Sequence, residues 1–391
     1  MAQRKLVKKI AYITIICLSA IAAVILSQTY SHKLFTNQTN LPNNTMANAA
    51  QLNLQEFPIG WIDRVERPQT PTTVSEEGIN LLIPYTHSYE QPAIEAYLDA
   101  AQQNGIKVFL EPYRKDVKAE DADAIAEFVR TYKDHPAVAG WYSYDEPVLN
   151  KVSAETLEIT YQAIKSEDPN RPVTIVFAPE QGAKALRYRN ALDIYGIDRY
   201  PLFFGKPEFN NLSDFGKWMQ KAASYAGDKE FFPVLQAYGE KENGEPQFNR
   251  RLPTAAEERY MFYTAITAGA DGLMFYGHHL TQQSWIDSVL TPIIKEFRGY
   301  LPLVRSDRVS ETFLTNRSDI QTVLYQNPTT QQYLLIAIHH GKGQVTAKIE
   351  PQVSVSNNQV QVSEENRSLN LTQGAFEDTF NDYEVHIYVI S

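Results

Sequence analysis

The chain has 391 residues, 43% of them hydrophobic and 21% charged, an ordinary globular balance that excludes disorder over most of its length. Its net charge of −10, from 46 acidic against 36 basic residues, argues against a nucleic-acid binder, which carries a basic surface. The single cysteine, Cys17, rules out an intrachain disulfide and a cysteine zinc cluster.

The N-terminus reads as an address. Arg4, Lys5, Lys8 and Lys9 precede an uncharged apolar run from Ile10 to Leu26, the pattern of a signal peptide or a signal anchor within residues 1–30. The run is at the lower limit for a membrane-spanning helix and long for a cleaved signal core, so both outcomes stay open. Basic residues before the run would keep the N-terminus in the cytoplasm and place the rest outside, so the expected location is extracytoplasmic. Without residues 1–30 the remainder carries −14 and has no cysteine. Residues 31–56, rich in Asn, Thr and Gln, read as a flexible tether.

From residue 57 the chain alternates short apolar runs with helical patterns. The runs, 57–63, 78–85, 105–113, 138–147, 171–179, 192–201, 230–240 and 270–279, are mostly apolar throughout, as strands buried on both faces are. Helical spacing lies between them, for example at Ile94, Tyr97, Leu98 and Ala101, and Thr254 with Glu257 forms a capping-box signature. The first connection, 64–77, is short and Pro-rich, so its helix should be reduced. Eight such units over 57–301 predict an α/β fold, a closed (β/α)8 TIM barrel. An open doubly wound sheet is the competitor, but no Gly-rich turn follows the first run, which ends Gly60-Trp61-Ile62-Asp63. After Pro302 the runs become short and alternating, which predicts a small antiparallel β-sandwich over 302–391.

Barrel enzymes place their chemistry at the C-terminal ends of the strands. The polar residues there are Asp63, Tyr85, His87, Glu111, Asp145, Glu146, Asp198, Arg199, Tyr200, Gln236, Tyr238, Glu240, His278 and His279. The sharpest signal is Gly140-Trp141-Tyr142-Ser143-Tyr144-Asp145-Glu146-Pro147. Here the chain resembles barrel glycoside hydrolases of the retaining type, which carry an acidic residue and proline, usually Asn-Glu-Pro, at the end of the fourth strand. The resemblance spans roughly 57–301. It implies hydrolysis of O-glycosidic bonds in an oligo- or polysaccharide, with Glu146 as acid/base and Asp145 in place of a sugar-binding Asn.

That chemistry needs two carboxyl groups, one to protonate the leaving oxygen and one to attack or to activate water. Neighbours on a regular strand face opposite ways, so Asp145 and Glu146 are not that pair while the strand stays regular. The resemblance implies a nucleophilic Glu at the end of the seventh strand, where this sequence has Gln236. Glu240, Asp198 and Glu111 are the alternative second carboxylates. Asp145, Asp63, Tyr85, His87, Tyr144, Tyr200, Gln236, Tyr238, His278 and Trp285 would line the sugar site. Each also has a plainer reading: Glu111 and Asp198 as rim ion pairs with Arg114, Lys115 or Arg199, Glu240 as a solvated turn residue, and Trp61, Trp141 and Trp285 as core. His278-His279 with His87 lacks metal-ligand spacing, and no cofactor is expected. The partners expected are a carbohydrate and, through residues 10–26, a membrane, and not a nucleic acid. A non-catalytic glycan-binding barrel in polysaccharide or envelope assembly is the second reading.

Overall fold

The structure is a computed structural model that describes residues 56–390, apart from 66, 68, 69, 207–211, 242, 305, 306, 309–313, 328, 331 and 351–358. The N-terminal apolar run and all of the tether but Glu56 lie outside the described residues. Within them no helix is long and apolar enough to cross a membrane.

Eight parallel strands close into a barrel in chain order: β1 (Ile59–Arg64), β2 (Leu81–Tyr85), β3 (Lys107–Leu110), β4 (Val138–Asp145), β5 (Val173–Phe177), β6 (Ile194–Arg199), β7 (Glu230–Gln236) and β8 (Leu273–Tyr276), with β8 pairing back onto β1. Each lies inside one of the eight apolar runs or overhangs it by a residue. The helices packed outside are α1 (Thr70–Glu76), α2 (Gln91–Gln103), α3 (Arg114–Ala119), α4 (Ala122–Tyr132), α5 (Ala154–Glu167), α6 (Phe215–Ala226), α7 (Ala255–Ala268) and α8 (Thr291–Val304). The expected capping box is present at Thr254 and Glu257, and it satisfies donors at the start of α7. The first crossover helix, α1, has only seven residues.

The connection from β5 to β6 departs from the expected barrel texture. Residues Pro179–Ala191 wind as 3-10 turns, with Gly182, Ala185, Tyr188 and Ala191 buried. A spacing of three keeps one face inward only in a helix of three residues per turn.

Side chains alternate in and out along each strand. The interior column contains Ile62, Leu81, Ile83, Phe109, Tyr142, Val176, Ile194, Phe232, Val234 and Met274, and Tyr85, Tyr200 and Tyr276 close it at the C-terminal end. The other parity, including Trp61, Trp141, Ile175, Leu235 and Phe275, packs beneath the helices.

Beyond the barrel, two antiparallel sheets form a sandwich. One contains β9 (Asp307–Arg308), β11 (Ile320–Gln326), β12 (Tyr333–His339), β14 (Gln359–Val362), β15 (Arg367–Asn370) and β17 (Val385–Ile390). The other contains β10 (Leu314–Thr315), β13 (Val345–Glu350) and β16 (Phe376–Phe380). The larger sheet is buried on both faces. Leu334, Ile336, Ile338, Val385 and Ile387 join the core under the barrel helices, while Leu335, Ala337, Tyr388 and Ile390 meet Ile349, Phe376 and Phe380 of the smaller sheet. That explains why β12 (YLLIAIH) is apolar throughout, whereas β16 (FEDTF), one-sided, alternates.

Candidate active site

The end of β4 is irregular in the way that the site needs. Pairing with β5 slips between Tyr142 and Tyr144, so Ser143 is an extra residue in the ladder. Tyr142 and Asp145 thereby face the barrel mouth while Tyr144 turns to the outer layer. Glu146 follows at φ 46°, a left-handed conformation, while its N–H still donates to the Val176 carbonyl at 2.8 Å. A non-glycine residue held there costs about 1–2 kcal/mol. The regular alternation that would part Asp145 from Glu146 is therefore absent.

Asp198 comes to the same place from β6, where Ile194, Gly196, Asp198 and Tyr200 share the inward parity. Its carboxyl, 7% exposed, lies within hydrogen-bonding reach of that of Glu146. Two carboxylates are both acceptors, so this contact requires that one carry a proton. Burial raises the proton affinity of Glu146, and the charge of Asp145 adds to it. Burial also holds the Asp198 pKa well above the usual carboxylate range, reinforced by the charges of Glu146 and Asp145. Its Oδ1 has no hydrogen-bond partner among the described residues.

Asp145 has a different environment. It accepts from the Tyr142 hydroxyl at 2.6 Å and the Tyr85 hydroxyl at 3.0 Å, and Arg114 Nη2 lies 3.8 Å away. Burial raises its pKa, and Tyr142, Arg114 and Tyr85 oppose that rise. Arg114 spans the tyrosines, 5.2 Å from the Tyr85 ring centre and 5.3 Å from that of Tyr144. It also donates to Glu111 at 2.6 Å, and His87 Nδ1 meets the other Glu111 oxygen at 2.7 Å. Glu111 is thus a fully buried ion-pair partner that holds Arg114 beside Asp145.

The other expected residues are distributed as follows. Tyr200 packs on Tyr276 and Tyr238, with ring centres 5.9 and 5.2 Å apart, at the mouth near Asp198 and Asp145. Gln236 is fully buried. Its amide accepts from Leu202 N–H and donates to the carbonyls of Leu202, Tyr238 and Arg251, which ties the β6 and β7 connections together. Glu240 accepts from Leu252 N–H at 2.6 Å and braces the same loop. Asp63 lies on the outward parity of β1, where the Tyr97 hydroxyl of α2 donates to it at 3.3 Å. His278 is buried against Glu77 at 3.1 Å, edge-on to Trp61. Trp285 is core, its indole N–H donating to Pro253. Asp63, His278 and Trp285 are not brought to the carboxyl cluster by these contacts. Among the described residues no three His, Cys, Asp or Glu side chains converge as a metal-binding group.

Tyr142, Tyr276 and Glu180 were not among the expected site residues. Tyr276 lies near Asp145, Glu146 and Asp198, and Glu180 lies within electrostatic reach of Glu146. Parity was the available signal: Tyr142 and Tyr276 follow the inward register, whereas Asp63, one residue after inward Ile62, does not.

Neither a protein-family model nor a curated protein matches the chain by sequence. Solved structures do match in shape. A family 5 glycoside hydrolase from Bacteroides vulgatus superposes with a TM-score of 0.58 at 11% identity, over 85% of this chain and 89% of that one. A family 39 glycoside hydrolase from Bacteroides cellulosilyticus gives 0.54 at 12%, over 86% and 81%. An Anoxybacillus alpha-amylase gives 0.56 at 12%, over 87% and 98%. The fold is the one these glycoside hydrolases use. At such identities the likeness establishes architecture, and the chemistry has to be argued from the side chains.

Proposed function

We propose that the protein is a carbohydrate-active hydrolase that cleaves O-glycosidic bonds at the mouth of the barrel. The observation that carries this is the proton-sharing pair Glu146 and Asp198 beside Asp145. A carboxyl group kept protonated near neutral pH is what protonation of a leaving glycosidic oxygen requires. Burial places the shared proton on Asp198 at rest, and Glu146, the less buried of the pair, takes it from Asp198 and donates it to the leaving oxygen. Asp198, ionised in the alternate state of the pair, accepts a proton from the attacking water. Asp145, supported by two tyrosine hydroxyls and Arg114, supplies negative charge next to the developing oxocarbenium ion.

Carboxyls within hydrogen-bonding reach of each other leave no room for a sugar between them, whereas hydrolysing pairs stand ~5–5.5 Å apart in retaining enzymes and ~6.5–9.5 Å apart in inverting ones. Hydrolysis through this pair therefore needs substrate and water to enter between the two groups. With Gln236 committed to the loop backbone, the end of β7 offers no carboxylate there. This favours the second reading, a barrel that binds glycan without cutting it. Export, by a cleaved signal or an uncleaved anchor at residues 10–26, completes the proposal, and its carbohydrate then lies outside the cytoplasm. Fractionation of cells into membrane and soluble pools checks the anchor.

The test is reducing-end release and binding across a polysaccharide panel. Glu146→Gln should lower cleavage by about 10²–10⁴-fold, the usual contribution of a general acid, with binding retained. Full activity in Glu146→Gln on every cleaved substrate overturns the assignment. Binding without cleavage by the wild type establishes the second reading.

A further inference from the structure

The connections that leave β6 and β7 display two exposed aromatic side chains, Phe204 at 42% and Phe248 at 67% exposure. The loops are fastened together. Phe204 N–H donates to the Asn249 carbonyl at 3.0 Å, and Phe203 pairs with Arg250 as an antiparallel bridge. The Arg250 guanidinium sits 3.7 Å from the Phe203 ring centre. Phe248 and Asn249 are both left-handed, with φ of 51° and 56°. For a bulky residue such as Phe this backbone is a rare outlier, and strain of that kind gathers at functional sites. Exposing the ring adds no core packing in return.

Phe248 is also continuous with the carboxyl cluster. Its ring meets Tyr238 edge-on at 6.1 Å, Tyr238 meets Tyr200 at 5.2 Å, and Tyr200 lies beside Asp198. A stair of rings thus leads from the acid pair to the loop tip. The neighbours of Phe248 in the chain, Gln247, Asn249 and Arg250, are polar. Even with Phe204 beside it, the exposed apolar surface is far smaller than a protein interface buries. It matches the flat C–H face of a pyranose whose hydroxyls point to polar neighbours.

We propose that Phe248 is an outer sugar-stacking subsite, so that the substrate is an extended glycan running from Glu146 and Asp198 along Tyr200 and Tyr238 to the β7 loop. This rests on the carbohydrate reading above. The test is calorimetric titration of the Glu146→Gln protein, with and without Phe248→Ala, using cellohexaose, xylohexaose, mannohexaose, chitohexaose and maltohexaose and the corresponding disaccharides.

The expected result is one hexasaccharide bound more tightly than its disaccharide, with Phe248→Ala weakening the hexasaccharide by about tenfold and leaving the disaccharide unchanged. Phe248→Trp should retain the hexasaccharide affinity. Circular dichroism melts of the Phe248 variants should superpose, since the side chain is exposed. Equal hexasaccharide affinity with and without Phe248 overturns the platform alone and leaves the catalytic reading standing. If Phe248→Ala loses affinity while wild-type protein and Glu146→Gln cleave equally, the platform stands and the acid assignment fails. No binding of any of these sugars overturns platform and carbohydrate reading together.

Discussion

At the scale of single residues, the site is a set of carboxyl groups that compete for few protons. Asp145 is satisfied by donors, whereas Asp198 and Glu146 satisfy each other and need a proton to do so. A buried carboxyl pair of this kind works against the fold once it has to ionise. Asp198 has a folded-state pKa well above its unfolded value of about 3.9. The native state therefore binds more protons than the unfolded state over that interval. Stability is full below about pH 4 and falls as pH rises toward the folded pKa. Asp198→Asn removes the titration and keeps the shape. Its melting temperature relative to wild type should accordingly climb between pH 4 and pH 8, and under the hydrolase proposal glycan cleavage should drop. Thermal melts at pH 4, 6 and 8 check this, and a variant offset that does not change with pH would exclude the shared proton.

At the scale of elements, the mouth is built by departures from regularity. The extra residue at Ser143 and the left-handed Glu146 bring neighbouring acids into one site. Gln236 acts as a staple between two connections and not as a group open to substrate. Gln236→Leu would leave the Leu202 N–H and the Tyr238 and Arg251 carbonyls without their partner in a buried setting, while the Leu202 carbonyl keeps the Arg251 N–H. Each unpaired buried group costs about 1–3 kcal/mol, so the variant should lose at least about 2 kcal/mol in urea unfolding. Disorder should centre on the β6 and β7 connections, read as faster amide exchange there. Unchanged stability would mean that the staple carries no weight.

The strands themselves were legible, because continuous apolar runs and helical spacing have no other economical burial. In the β5–β6 connection the threefold spacing of Gly182, Ala185, Tyr188 and Ala191 carries the 3-10 signal. Glu146, Asp145, Asp198, Tyr85 and Tyr200 all stand at strand ends in the sequence, and the fold brings them together. Asp63 also stands at a strand end but on the outward parity, and His278, though of the same parity as Tyr276, follows the left-handed Gly277 in a 3-10 turn that carries it to Glu77. The Ser143 bulge left no mark in the sequence. A one-residue slip in pairing is decided by the partner strand and not by local pattern.

At the scale of the molecule, barrel and sandwich share one core, so the C-terminal sheets complete the burial of α7 and α8. The junction also holds polar groups. Arg259 of α7 pairs with Glu296 of α8 and donates to the Val385 carbonyl, and Tyr300 meets Ser363. His340 sits between the Tyr260 hydroxyl at 2.8 Å and Gln321 at 2.7 Å. Gly216 at the start of α6 leaves it room, since a Cβ there would lie 2.5 Å from the imidazole. Burial, with the charges of His339 and Lys217, lowers the His340 pKa to about 4, against the opposing pull of Asp319. The unfolded chain therefore binds the extra proton between about pH 6.5 and pH 4. The stability tied to neutral His340 is complete above pH 6.5 and is lost as pH falls through that interval. The shift corresponds to ~3 kcal/mol at most. His340→Gln should be less stable than wild type at pH 7.5, because the fit to Tyr260 and Gln321 is lost. The difference should shrink by pH 4.5, where wild type has itself lost the contribution. The opposite slope from Asp198 is common to both proteins and cancels in the comparison. Urea unfolding of both proteins at pH 7.5 and pH 4.5 measures the difference directly. A gap that stays constant would show that His340 keeps an ordinary pKa at the junction.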